Sequence, residues 1–321
     1  MALAILNSPP EWIERFGPSR KPTAVTIGNF DGVHLGHQKI LSGVLMRARA
    51  QDLMTTVLTF YPHPSRVLRP HAPPAMLTTI EQRLRGFEAA GMDAALVLRF
   101  DAELAKVSAE DFVSGYLVKV LQARAVMVGG NFRFGNRQMG DVKLLEELGK
   151  RWRFEVQVVP PVIVDGVVVS SSAVRESLRG GRVEEAARLL GRPFALEGEI
   201  RRGTGQGRKL IVPTLNLTTE QECLPKDGVY ATQTVVEGKT YNSATNIGLR
   251  PTFNGTRLAI ESHLFDFRES LIGGRMEVCF HARLRDEQKF PSSEALKEQV
   301  LKDIERAREY FRTIGTTDKY R

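Results

Sequence analysis

The sequence predicts two folds in series: a doubly wound parallel α/β domain, then a compact antiparallel barrel or sandwich that ends in a helix. Three observations carry this. Up to Arg182, short apolar runs alternate with amphipathic helical patterns at the spacing of βαβ units. From Phe194 to Leu284 the texture changes to short β-rich runs punctuated by Gly, Asn and Pro. After Pro291 a helical pattern runs from Ser293 to about Phe311, with Ser292 or Ser293 as its cap. The boundary is placed near Arg182, giving domains 1–182 and 183–321.

Within the first domain, strands are expected at Ala24–Ile27, Leu53–Thr59, Ala95–Leu98, Ala125–Val128, Glu155–Val159 and Val167–Ser170. Helices are expected at His37–Ala50, Ile80–Ala90, Ala109–Val120 and Asp141–Trp152. A short helix at Val183–Leu190 leads into the second domain. There the β-rich runs are Val229–Val236, Tyr241–Ile247, Leu258–Phe265 and Arg275–Leu284. Asn254-Gly255 between two of them is a strong hairpin signal.

Composition limits the function classes. The 321 residues carry a formal charge of +8, spread along the chain, so a phosphate-rich small molecule such as ATP suits it better than nucleic acid. The two cysteines, Cys223 and Cys279, lie far apart, which argues against a disulfide scaffold or a cysteine metal site and for a reducing compartment. The first residues lack the basic start of a secretory signal, and no apolar run approaches the roughly 20 residues of a bilayer span. A cytoplasmic protein without a membrane partner is expected.

Four motifs sit at strand ends, where ligands of open α/β sheets bind. In G-N-F-D-G-V-H-L-G-H, Gly28 to His37, a strand passes through glycines to two histidines at the start of a helix. Unpaired amides and the helix dipole favour an anion there, and two imidazoles can donate to phosphate oxygens. A glycine-rich turn with a structural histidine pair is the plainer alternative. Y-P-H-P, Tyr61 to Pro64, follows a second strand, and G-G-N-F-R-F-G, Gly129 to Gly135, follows a third. The latter alternates aromatics with Asn131 and Arg133, a combination suited to a flat ring beside a charged group. V-S-S-S-A-V-R, Val169 to Arg175, ends a strand and opens a helix; its hydroxyls and the Arg175 fork suit a triphosphate.

The second domain carries weaker signals. G-E-I-R-R-G-T-G-Q-G-R-K-L, Gly198 to Leu210, is a basic glycine-rich loop that matches no standard phosphate-loop pattern. P-T-L-N-L places Thr214 and Asn216 on one strand face, where neutral oxygens can complete a magnesium shell. E-S-H-L puts Glu261 and His263 on one face, and a carboxylate there can take a proton from an attacking hydroxyl.

Taken together, G-N-F-D-G-V-H-L-G-H, T-F-Y-P-H-P, N-F-R-F-G and S-S-S-A-V-R resemble the adenylyltransferase half of the bacterial bifunctional riboflavin kinase/FAD synthetases. The second half carries the kinase motifs in the same order, so the resemblance spans essentially the whole chain. It implies a nucleotidyltransferase domain followed by a β-barrel kinase, with riboflavin, FMN, FAD and ATP as substrates or products and Mg²⁺ as cofactor. By the same resemblance His34, His37, Arg175 and Glu261 are catalytic, Glu261 as base. ATP falls to Gly28, Asn29, Phe30, Gly36, Ser170, Ser171, Ser172, Gly203, Gly207 and Arg208. Flavin falls to Pro62, His63, Asn131 and Phe132, and the metal to Thr214 and Asn216.

Departures from the family pattern are Ile211 and Val212 for Gly-Phe, Ser270 and Ile272 for an acidic and a tyrosyl position, Arg182 for an acid and Ser172 for threonine. The first four bear on flavin affinity and loop behaviour of the kinase half more than on its chemistry, and Ser172 keeps the hydroxyl. Rival readings are a nucleotidylyltransferase for another acceptor and an inactive flavin- or RNA-binding regulator. The oligomeric state is open.

Overall fold

The computed structural model describes residues 2–18, 20–201, 212–252, 255–267, 271 and 273–314. Contacts divide the chain into two compact units, Met1–Ser170 and Ser171–Arg321.

The first unit begins with β1 (Ala4–Leu6) and α1 (Pro9–Phe16), neither foreseen from the sequence. The Ser8 side chain caps α1, and Trp12 on it is fully buried. Then follow β2 (Thr23–Ile27), α2 (Leu35–Gln51), β3 (Met54–Tyr61), a short α3 (Pro64–Leu68), α4 (Ile80–Ala89) and β4 (Ala94–Arg99). Next come α5 (Ala109–Phe112), β5 (Ala123–Gly129), α6 (Val142–Trp152) and β6 (Glu155–Val159). The expected α-helix over Ala109–Val120 keeps α geometry for only its first turn. From Val113 to Val120 the turns widen to π geometry, with Leu121 N–H donating to the Tyr116 carbonyl, and Val113, Leu117, Val120 and Leu121 all reach the core.

Six strands form one parallel sheet in the order β1-β4-β3-β2-β5-β6. Helices on both faces bury β2 along its whole length, which is why that strand reads as continuously apolar or threonine-rich. After β2 the chain steps one way to β3 and β4, and then returns to lay β5 on the other side of β2. The order therefore reverses between β2 and β5. The expected strand at Val167–Ser170 is instead part of a separate hairpin, β7 (Ile163–Val164) with β8 (Val167–Val168). Asp165 and Gly166 both have positive φ, the conformation of a tight hairpin turn, so this segment folds on itself and does not join the sheet.

The second unit opens with α7 (Ser171–Arg179) and α8 (Val183–Leu190). Six antiparallel strands then close into a barrel: β9 (Phe194–Arg201), β10 (Leu215–Thr218), β11 (Gly228–Val236), β12 (Lys239–Thr252), β13 (Gly255–Leu264) and β14 (Arg275–Arg285). β12 and β13 pair as the expected hairpin, with Thr252 opposite Gly255. Asn254 itself lies outside the described residues. On the outer face Ala231, Ala244 and Ala282 are small enough to seat Ala307 of α9 (Ser293–Ile314). Asp303 of α9 is 4% exposed in its side chain and accepts a forked bond from Arg285, at 2.9 and 2.7 Å. The inner face holds an unexpected chain of buried hydroxyls. Thr232 bonds Ser243 at 2.8 Å and Thr245 at 2.6 Å, and Thr245 bonds Ser262 at 2.8 Å. Each hydroxyl has a partner, so burying them carries little penalty.

Candidate active sites

The segment after β2 is held from below by groups that the motif alone does not reveal. Gly28 N–H donates to the Leu58 carbonyl, continuing the β2–β3 pairing one residue past the strand. Asp31 is buried, and its carboxylate accepts from Leu77 N–H, Thr78 N–H and the Thr78 hydroxyl at 3.0–3.1 Å. Gly32 N–H donates back to the Thr78 hydroxyl. Arg83 of α4, 2% exposed, donates to the Asn29 carbonyl at 2.8 Å. Burial pulls its pKa below the ordinary arginine value, with the charges of Asp31, Tyr61 and Glu81 opposing. Phe30 and Val33 adopt positive φ, as a loop pinned at both sides requires.

His34 caps α2. Its Nδ1 accepts from His37 N–H at 3.3 Å, so that nitrogen carries no hydrogen and, in the neutral ring, Nε2 is the donor. The His37 ring lies against the His34 ring with centroids 3.6 Å apart and leans on Phe30 at 5.0 Å. Burial, and then the neighbouring His34, hold His37 well below the ordinary histidine pKa. Gly36 permits this stack, since a Cβ there would meet the His34 ring at 3.2 Å. Two buried polar atoms of this loop have no hydrogen-bond partner among the described residues: Asn29 Oδ1 and His37 Nδ1. Buried polar atoms are normally satisfied, so these two are suited to a polar ligand.

The strand order brings the loops after β3 and β5 alongside. Tyr61–Pro64 leaves the carboxyl end of β3 and Gly129–Gly135 leaves that of β5, the two strands flanking β2. His63 caps α3 through its Nδ1, which accepts from Ser65 N–H at 3.2 Å; Pro62 is half-buried. Asn131 is exposed beside Gly129, Phe132 is half-buried and stacks on Phe134 at 5.3 Å, and Phe134 belongs to the core. Gly135 has φ +69°, and a Cβ would sit 2.6 Å from the Ala109 backbone, so the loop closes tightly on α5. Ser170 ends the first unit. Ser171, Ser172 and Arg175 lie on α7 of the second, where Ser172 is exposed and Arg175 is buried. Arg182 lies at the start of α8, where it pairs with Glu185 at 2.6 Å.

On the barrel, pairing register aligns the second set. Asn216 stands opposite Glu261 across β10–β13, and Asn246 stands opposite Glu261 across β13–β12. Directly opposed residues have Cβ atoms roughly 4.5–5.5 Å apart, so one carboxylate lies between two amides. These residues alternate with buried Leu215, Leu217, Ile260 and Ser262, which places the row on the outer face. Thr214 is exposed, just ahead of β10. Gly203, Gly207 and Arg208 lie outside the described residues, as do Ile211, Ser270 and Ile272.

Among the described residues no group of three or more His, Cys, Asp or Glu could hold a metal ion. The oxygens of Thr214, Asn216 and Glu261 are hard donors of the kind that bind a divalent ion together with substrate phosphates and water, so this row fits such an ion.

The pattern of the FAD synthetase family matches residues 17–173, and that of the riboflavin kinase family matches residues 190–311. The bifunctional riboflavin kinase/FMN adenylyltransferase of Escherichia coli K12 is 38% identical over 89% of this chain and 92% of its own. That of Haemophilus influenzae is 36% identical over 90% of this chain and 94% of its own.

The chain belongs to the bifunctional riboflavin kinase/FMN adenylyltransferase family.

A crystal structure described as the macrolide-efflux protein from Streptococcus pneumoniae matches with a TM-score of 0.85 at 28% identity, covering 96% of this chain and 99% of that one. Among the described residues of this riboflavin kinase/FMN adenylyltransferase family member, no helix is long and apolar enough to cross a membrane. Both family reactions use ATP and generally a divalent metal ion. Sequence reasoning missed Asp31, Thr78, Arg83 and Asn246 as site-shaping residues. The sequence held a signal for two of them: Asp31 stands inside G-N-F-D-G-V-H-L-G-H, and Asn246 stands in T-N-I-G-L-R-P-T-F, a segment shared with the family that the sequence resembles.

Proposed function

We propose that this chain makes FMN and then FAD. In the kinase step, assigned to residues 183–321, the γ-phosphoryl group of ATP moves to the riboflavin 5′-hydroxyl. Glu261 takes the hydroxyl proton, and Thr214 and Asn216 hold the metal that accompanies the phosphates. Magnesium suits these neutral oxygens, and when bound it neutralises phosphate charge. In the adenylyl step, assigned to residues 1–182, an FMN phosphate oxygen attacks the α-phosphorus of a second ATP and pyrophosphate leaves.

His34, with hydrogen on Nε2, donates to the charge that develops at phosphorus, and His37 steadies the leaving group beside it. Arg175 clamps triphosphate oxygens, helped by Ser170, Ser171 and Ser172. Gly28, Asn29, Phe30 and Gly36 shape the nucleotide side; Pro62, His63, Asn131 and Phe132 take the flavin. Gly203, Gly207 and Arg208 are assigned to ATP in the kinase step. A cytoplasmic location suits two cysteines that form no disulfide.

The observation that supports this reading best is the emergence of three motif-bearing loops from β3, β2 and β5, adjacent strands at the point where strand order reverses. The test is to incubate the full chain with riboflavin, ATP and Mg²⁺ and resolve flavins over time. FMN should rise before FAD. Absence of both products with oxidised and with reduced flavin would overturn the proposal.

A further inference from the structure

His263 shares the outer barrel face with Glu261 but has no part in the proton transfer above. Its Nδ1 lies 2.9 Å from the Pro213 carbonyl oxygen. A carbonyl can only accept, so Nδ1 carries the hydrogen. The backbone pairing of β10 with β13 begins at Leu215 opposite Ser262, and Thr214 stands ahead of it. Pro213 has no N–H, so its carbonyl is the one backbone group by which that residue can be tied down. The imidazole reaches past the end of the ladder and grips the chain next to Thr214. It is braced in turn: Phe265 leans on it at 5.9 Å, and the Arg308 guanidinium lies over Phe265 at 4.4 Å. Burial pulls His263 below the ordinary histidine pKa, against the opposing effect of its bond to the Pro213 carbonyl.

We propose that His263 is a positioning residue for phosphoryl transfer, its Nδ1–H bond to the Pro213 carbonyl setting Thr214 beside Glu261. This rests on the reading of Thr214, Asn216 and Glu261 as the kinase site.

Three variants of the full chain separate this role from plain barrel stability. Asn presents its amide nitrogen where Nδ1 stood, Gln presents it where Nε2 stood, and Leu presents none. His263→Leu and His263→Gln should raise the KM for ATP in riboflavin phosphorylation about tenfold, the equilibrium weight of one ordinary hydrogen bond. His263→Asn should stay within about threefold of the parent, since it restores that same bond. Conversion of supplied FMN to FAD should be unchanged in all three. Equal impairment of Asn and Gln variants, or no impairment of either, overturns the role, and this comparison stands even if the Leu variant fails to fold. Glu261→Gln is measured alongside. If it leaves phosphorylation intact, the site reading itself is wrong and the inference falls with it; if it is impaired while His263→Gln is not, only the inference falls.

Discussion

His34 and His37 lie face to face, ring centroids 3.6 Å apart and planes 14° apart, with His37 N–H donating to His34 Nδ1. That bond needs an unprotonated Nδ1 on His34, and the stack disfavours charge on both rings. A neutral His34 in this arrangement keeps its hydrogen on Nε2.

A pH dependence of stability follows. His37 is held well below the ordinary value of 6.5 that its unfolded form keeps. Between the folded and unfolded values the unfolded chain binds more protons, so stability rises with pH across that window. The contribution is complete above 6.5 and is lost as pH falls. Urea midpoints taken at about pH 7.5 and about pH 5.5 should drop in the parent and drop less in His37→Asn. An identical drop in both would show that His37 does not carry the effect.

Independence of the two reactions is the second expectation. His37→Ala should slow FMN adenylylation by about 10²–10³, the size typical of one preorganised donor, while phosphorylation stays near normal. Glu261→Gln keeps the shape but takes up no proton, so phosphorylation should fall about 10²–10⁴ while supplied FMN still becomes FAD. Loss of both activities in a folded single variant would point to a shared site.

Arg83 supports the histidine loop through a backbone carbonyl. Arg83→Met removes the donor to Asn29 and should cost about 1–3 kcal/mol, the penalty of leaving a buried acceptor unpaired. The KM for ATP in adenylylation should rise with it. Urea unfolding combined with adenylylation kinetics checks both effects, and a change in stability with unaltered ATP dependence would make Arg83 purely architectural.

Asp303 and Arg285 fasten α9 to the barrel, with side chains 4% and 16% exposed. Asp303→Ala removes the counter-charge of a largely buried guanidinium, which keeps only its bond to the Asp286 carbonyl and its contact with Phe290, and should cost about 3–5 kcal/mol. Replacing both residues with apolar ones should recover much of that loss. Chemical denaturation of the single and double variants measures the difference.

The alternation of strand and helix was legible because period and composition are local properties. So were the motif loops, the short helix at Val183–Leu190, which the structure reproduces residue for residue, and the long terminal helix. Asp141 as the start of a helix was equally readable, since its side chain caps α6 by accepting from Leu144 N–H. The hairpin at Val167 reads in the sequence as a sheet strand because a few apolar residues look alike in either setting. The Asp165-Gly166 turn decides the matter only once its backbone angles are known.

By itself the sequence determined which chemistry-bearing groups exist, and that they fall at strand ends or on one strand face. Tertiary structure decided their company. Nothing in G-N-F-D-G-V-H says that the loops after β3 and β5 flank it, because strand order depends on pairings between residues far apart in the chain. Arg83 left no mark as a loop support, since its partner is the Asn29 carbonyl and a carbonyl has no residue signature. Glu261 reads in the sequence as one carboxylate on a strand. Only barrel register sets it between Asn216 and Asn246, because a shift of one residue in either pairing would turn the amides to the opposite face.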